Sequence, residues 1–248
     1  MGYSALMAFR AQDAVAVADK IVNKIIVLIF VIIFTVSSYV VYDSIRIRNE
    51  VRAADKVADS LNKLNLQERI SYLHSINPDV IGWIKLDGTK IEHPILQAAD
   101  NDFYLTHDYK KEYSLSGSIF VDYRNKVGDD YYVYYGHNID GGTMLGRINE
   151  YSEKEFFDNH LSGTLYYEDG SEHSFDVIAF SYRNEQDKAI YSIDENARGK
   201  NRQIYDDLVN TATHINPSAS AEYSKLILLS TCTKTNGERA VLLLGYND

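Results

Sequence analysis

Apolar and polar positions change rhythm twice along the chain. Residues 25–42, IIVLIFVIIFTVSSYVVY, contain no charged side chain and are long enough to cross a bilayer as a helix. From residue 45 to 66 the rhythm becomes helical: Val51, Ala54, Ala58, Leu61 and Leu64 share one face, with no Gly or Pro to interrupt it. This predicts an amphipathic helix that packs on the downstream domain, continued by Ile70, Leu73 and Ile76. Asn77-Pro78-Asp79 breaks the pattern. Beyond it lie short β-like runs at residues 81–86, 90–96, 118–121, 131–135, 164–167 and 174–181. A last pair comes at the C-terminal end, in which apolar residues 226–229 and 240–244 flank a polar turn containing Asn236-Gly237; this reads as a β-hairpin. About eight short strands predict a closed or nearly closed barrel, a mainly β fold with added helices. Residues 201–213 carry Ile204, Leu208 and Val209 on one face, a helix inside a long connection.

The expected organisation is a short tail of no independent fold at 1–24, an anchor at 25–42, a helical segment at 43–76 and a catalytic barrel at 77–248. A cleaved signal peptide fits the anchor less well, because the apolar core is long and no small-x-small site comes after it. Basic residues flank both ends (Arg10, Lys20 and Lys24 before, Arg46, Arg48 and Arg52 after), so charge alone leaves the orientation open. The formal charge of −10 argues against nucleic acid as a partner. The 20 tyrosines suit strands and a peptide-binding surface alike.

Candidate chemistry sits at strand ends. Cys232 is the single cysteine, so no intramolecular disulfide consumes it. It closes one strand of the last hairpin, and Arg239 opens the next, where a guanidinium favours thiolate. Inert core cysteine is the commoner fate of such a residue. His137 ends the tyrosine-rich strand before Gly141-Gly142, and is preferred by position over His74, His93, His107, His160, His173 and His214. If His137 and Cys232 meet across the barrel, they form a thiol nucleophile and general acid, with Arg239 facing an oxyanion. One Cys and one His without CxxC or HxxxH spacing make poor zinc ligands, so no metal or cofactor is expected.

Ser230-Thr231-Cys232 after an apolar strand, Arg239 opening the next, and Tyr135-Gly136-His137 upstream together resemble the signature of sortases, membrane-anchored cysteine transpeptidases of Gram-positive surfaces. The stretches NPDVIGWI at 77–84, HPILQ at 93–97, YLTHDY at 104–109 and GSIFVD at 117–122 resemble class B blocks, over about residues 45–246. The resemblance implies an eight-stranded sortase barrel behind N-terminal helices. It implies that Cys232 attacks the carbonyl after Thr in a Pro-x-Thr sorting motif, that His137 protonates the leaving amine, and that Arg239 holds the substrate backbone or oxyanion. Leu96, Tyr135, Ser230 and Thr231 are implied to line the substrate groove. The implied partners are surface proteins with a C-terminal sorting signal and a peptidoglycan amine, at the cell membrane with the N-terminus inside and the barrel outside. In some class B members acidic residues come directly after the cysteine; here those positions are Thr233 and Lys234, so any carboxylate role falls to Asp122, Asp140 or Glu238. A papain-like peptidase is disfavoured because His137 precedes Cys232 and both end strands. A membrane-tethered binding barrel and a pilin-polymerising sortase are the remaining alternatives.

Overall fold

A computed structural model describes residues 2–61, 64–139, 141–193, 199, 201–220 and 222–247, without the side chains of 2–18 and 50–61. The chain divides into two compact units, Met1–Asn49 and Glu50–Asp248. One helix, α1 (Gly2–Leu61), runs through residues expected to form a tail, a span and a separate helix. Nothing in residues 1–24 breaks a helix, so the tail continues the helical ladder of the span. Its stretch Asp19–Asn49 contains an 18-residue window of mean hydropathy 2.7 and is long and apolar enough to cross a membrane. The packing face expected from Val51 to Leu61 lies outside the described side chains.

A second helix, α2 (Leu66–Ile76), starts at a capping box: the Glu68 N–H donates to Asn65 Oδ1 at 2.9 Å and the Asn65 N–H to Glu68 Oε2 at 3.1 Å. It buries Ile70 and Leu73 against Trp83, Leu96 and Phe120 on the barrel. Arg69 lays its guanidinium 5.0 Å from the Trp83 ring centre.

The strands are β1 (Val80–Leu86), β2 (Glu92–Leu96), β3 (Ile119–Val121), β4 (Tyr131–Tyr135), β5 (Ser162–Tyr167), β6 (Glu172–Asn184), β7 (His214–Ile215), β8 (Lys225–Cys232) and β9 (Glu238–Tyr246). Eight of them, in the order β5-β1-β2-β3-β4-β8-β9-β6, close on themselves through β5–β6 pairing, and β7 adds a short rung beside β6. Two pairs, β2–β3 and β4–β8, are parallel.

Alternation decides what each wall faces. Ile227, Leu229, Leu242 and Leu244 point into the barrel with Tyr134, Leu165 and Phe175. Leu226, Leu228, Val241 and Leu243 point outward and are covered by Ile190, Ile204 and Leu208. Ile190 lies on α4 (Lys188–Tyr191), and the other two on α5 (Asn201–Asn210). Both faces of β8 and β9 are therefore buried, which is why they read as unbroken apolar runs. A 3₁₀ segment, Gly146–Ser152, and α3 (Lys154–Asn159) insert Ile148, Tyr151 and Phe157 into the interior cluster; both are too short to show a helical period in sequence.

Candidate active site

Cys232 is exposed at the end of β8, one residue past the fully buried Thr231. The β8–β9 register sets Cys232 directly opposite Arg239, so both side chains leave the same, outer face of the barrel wall. Arg239 Nη1 donates to Cys232 Sγ. Its other terminal nitrogen, Nη2, lies 2.9 Å from Glu185 Oε2. The turn between the strands closes through the Thr233 N–H on the Glu238 carbonyl, and Gly237 takes φ 75°, a left-handed conformation that glycine adopts without strain.

His137 reaches this point from the neighbouring strand. Since β4 and β8 run parallel with Tyr135 beside Ser230, His137 and Cys232 each lie two residues further along the same wall. Thr231 Oγ1 donates to the Gly136 carbonyl at 2.8 Å and holds the two exits together. The histidine and the cysteine are thus neighbours on adjacent parallel strands, not partners across the barrel; the β4–β8 pairing, invisible in the sequence, decides this. His137 Nε2 donates to the Leu105 carbonyl at 2.7 Å, which fixes the proton of the neutral ring on Nε2 and leaves Nδ1 as its acceptor nitrogen. Asn138 and Asn149 donate from Nδ2 to the Cys232 carbonyl at 3.1 and 3.3 Å.

Beside the pair, Tyr135 stacks on Tyr191 with ring centres 6.3 Å apart, and the Tyr191 hydroxyl lies 2.8 Å from Ser230 Oγ. Tyr135 donates to Asp122 Oδ2 at 3.0 Å. Asp122 is fully buried and receives the Arg124 fork at 2.8 and 2.7 Å together with the Asn101 amide at 2.9 Å. Burial alone would raise the Asp122 pKa, but the Arg124 and Asn101 hydrogen bonds outweigh it and hold the carboxyl below its usual range. Burial, with the Asp122 charge adding to it, raises Tyr135 well above the ordinary phenol range, so it remains a donor.

Of the groove residues expected from sequence, Tyr135 is half-buried beside Tyr191, and Ser230 is buried with its hydroxyl engaged by Tyr191. Leu96 is buried against Ile70, Trp83 and Phe120, and Thr231 is buried with its hydroxyl donating to the Gly136 carbonyl. Asp140 lies outside the described residues. Asp122 serves the buried network, and Glu238 Oε2 accepts from Thr233 Oγ1 at 3.0 Å. The carboxylate at Arg239 is instead Glu185, from the end of β6, which the sequence pattern did not single out, nor did it single out Asn138, Asn149 or Tyr191. Other histidines are engaged elsewhere: His74 with Val80, His107 with Phe103, His160 with Phe156 and His214 with Ser152. Among the described residues, no group of three or more His, Cys, Asp or Glu gathers as metal ligands would.

No family model matches the chain. It is 40% identical over 107 residues to Sortase B of Listeria monocytogenes, and 34% identical over 103 residues to Sortase B of Staphylococcus aureus. These matches span 42% and 41% of this chain and under half of each curated relative, 43% and 42%. The solved structure of Clostridium perfringens sortase B is 30% identical with a TM-score of 0.63, covering 71% of this chain and 98% of that one. The chain belongs to the sortase B family. The outer-wall placement of Cys232, Arg239 and His137 is therefore set on a sortase B barrel, and in this member Glu185, just past β6, contacts the arginine.

Proposed function

We propose that the chain is a membrane-anchored cysteine transpeptidase that joins proteins bearing a C-terminal sorting signal to a peptidoglycan amine. The observation that carries this reading is the exposed Cys232 thiol, bonded to Arg239 and presented beside His137 on the parallel β4–β8 wall.

In this reaction Cys232 Sγ, as the thiolate beside a protonated His137, adds to the carbonyl carbon of the Thr in a Pro-x-Thr motif. The carbonyl electron pair moves onto oxygen, where Arg239 donates to it. Collapse breaks the C–N bond, and the leaving amine takes a proton from His137 Nδ1, giving a thioester. The acceptor amine then attacks the thioester, losing a proton to His137 as the thiolate leaves. His137 remains oriented throughout by its Nε2–H bond to the Leu105 carbonyl. The helix over Asp19–Asn49 supplies the anchor, with the N-terminus inside and the barrel outside. Domain limits of 25–42 for the anchor and 77–248 for the catalytic unit belong to the same reading.

The test is intact mass spectrometry of the full chain in detergent, mixed with a panel of Pro-x-Thr peptides. A mass gain equal to the fragment ending in Thr, absent in Cys232→Ala, is the expected result. An unreactive cysteine and no adduct would favour a binding barrel.

A further inference from the structure

No acid directly follows the cysteine in this chain, where Thr233 and Lys234 stand. The fold supplies one from another strand. Glu185 is the first residue after β6, and its backbone N–H donates to the Gly237 carbonyl at 2.9 Å, which ties it to the catalytic hairpin turn. Its carboxylate then meets Arg239 Nη2 at 2.9 Å, while Nη1 of the same guanidinium is on Cys232 Sγ.

A neighbouring arginine sharpens the assignment. Arg183 pairs directly with Arg239 across β6–β9, an opposition of like charges that destabilises unless each finds its own acid. Arg183 takes Asp187 and Asp207, both at 2.7 Å, and Thr211 Oγ1 at 2.6 Å. Arg239 takes Glu185. The two guanidinium groups are thereby turned to different partners, one toward α5 and one toward the thiol.

We propose that Glu185 is a positioning residue that fixes the Arg239 guanidinium in the orientation that presents Nη1 to Cys232. This deepens the transpeptidase reading and rests on it for its catalytic meaning. The guanidinium is a rigid planar fork, so fixing Nη2 sets the direction of Nη1. An ion pair this exposed contributes only about 0–1 kcal/mol to stability, so its consequence is orientation rather than folding.

The experiment measures alkylation of Cys232 by iodoacetamide at pH 7 in the full-length protein in detergent, beside peptide acylation. Glu185→Gln retains an acceptor for Nη2 but removes the charge that competes with the thiolate for the guanidinium. Glu185→Ala removes both. The expected result is opposite signs: alkylation about two- to threefold faster in Glu185→Gln and about threefold slower in Glu185→Ala, because a nearby held cation favours thiolate. Rates that rise in both variants would mean that the carboxylate acts by charge alone, and unchanged rates would mean that it does not act on the thiol; either overturns the proposal. Opposite signs with no acylation in the wild type would leave the positioning role standing and overturn the transpeptidase reading instead.

Discussion

The Leu105 carbonyl accepts the Nε2–H of His137 at 2.7 Å, so a backbone atom of the β2–β3 connection orients the histidine. Gly117, which takes φ 58°, lies close against that carbonyl; a Cβ there would meet the Tyr104 oxygen at 2.5 Å and the Leu105 oxygen at 2.7 Å. Gly117→Ala is expected to push the Leu105 carbonyl away and slow acylation by about tenfold or more, since small misplacements of a catalytic group carry large rate penalties. Acyl-enzyme formation followed by stopped-flow mass spectrometry checks it, and full activity would show that the carbonyl contact is dispensable.

Removing the nucleophile or its cation should separate sharply from removing their supports. Cys232→Ala is expected to abolish adduct formation, and Arg239→Lys to reduce it by about 100-fold, because an ammonium cannot reproduce the planar fork. Peptide acylation rates measure both, and wild-type rates in either variant would refute the assignment.

Asn138 and Asn149 converge on the Cys232 carbonyl from two different segments. Replacing both by Ala leaves that carbonyl to water at an exposed site. Stability is expected to change by less than about 1 kcal/mol, while acylation slows several-fold. Comparing unfolding midpoints with acylation rates distinguishes this from general loosening, which would move both together.

Asp122 is the opposite case, a buried carboxylate on which Arg124, Asn101 and Tyr135 depend. Asp122→Ala leaves those donors without their acceptor and is expected to cost about 1–3 kcal/mol, the range for leaving buried polar groups unsatisfied, because the Arg124 side chain is itself 36% exposed. A denaturant titration showing a loss below about 1 kcal/mol would contradict the network.

His93 makes the fold sensitive to acid. Its Nε2 is buried without a hydrogen-bond partner, and burial lowers its pKa to about 4. The unfolded chain protonates first on acidification, so stability is intact above the ordinary histidine range and falls as pH drops from about 6.5 toward about 4, by up to about 3 kcal/mol. The depressed Asp122 carboxyl adds a separate loss at still lower pH. His93→Leu is expected to flatten the first window only; urea midpoints measured across pH 4–7 report it.

Much of this was written in the local sequence. Unbroken apolar runs at 226–229 and 240–244 announced two strands, and Asn236-Gly237 between them set the hairpin that opposes Cys232 to Arg239. Those features depend on residues close in the chain, where side-chain period and turn chemistry suffice. The charge-free span at 25–42 was legible for the same reason. Contacts between distant segments were not. That β4 lies parallel to β8, placing His137 beside Cys232 on one wall, comes from a pairing of strands about ninety residues apart, and no local pattern encodes it. The burial of Leu96 under α2, the choice of Glu185 over Glu238 as the acid at Arg239, and the Leu105 carbonyl at His137 were likewise decided only when the barrel closed. Closure brings together groups whose types the sequence displays but whose partners depend on the register of strands far apart in the chain.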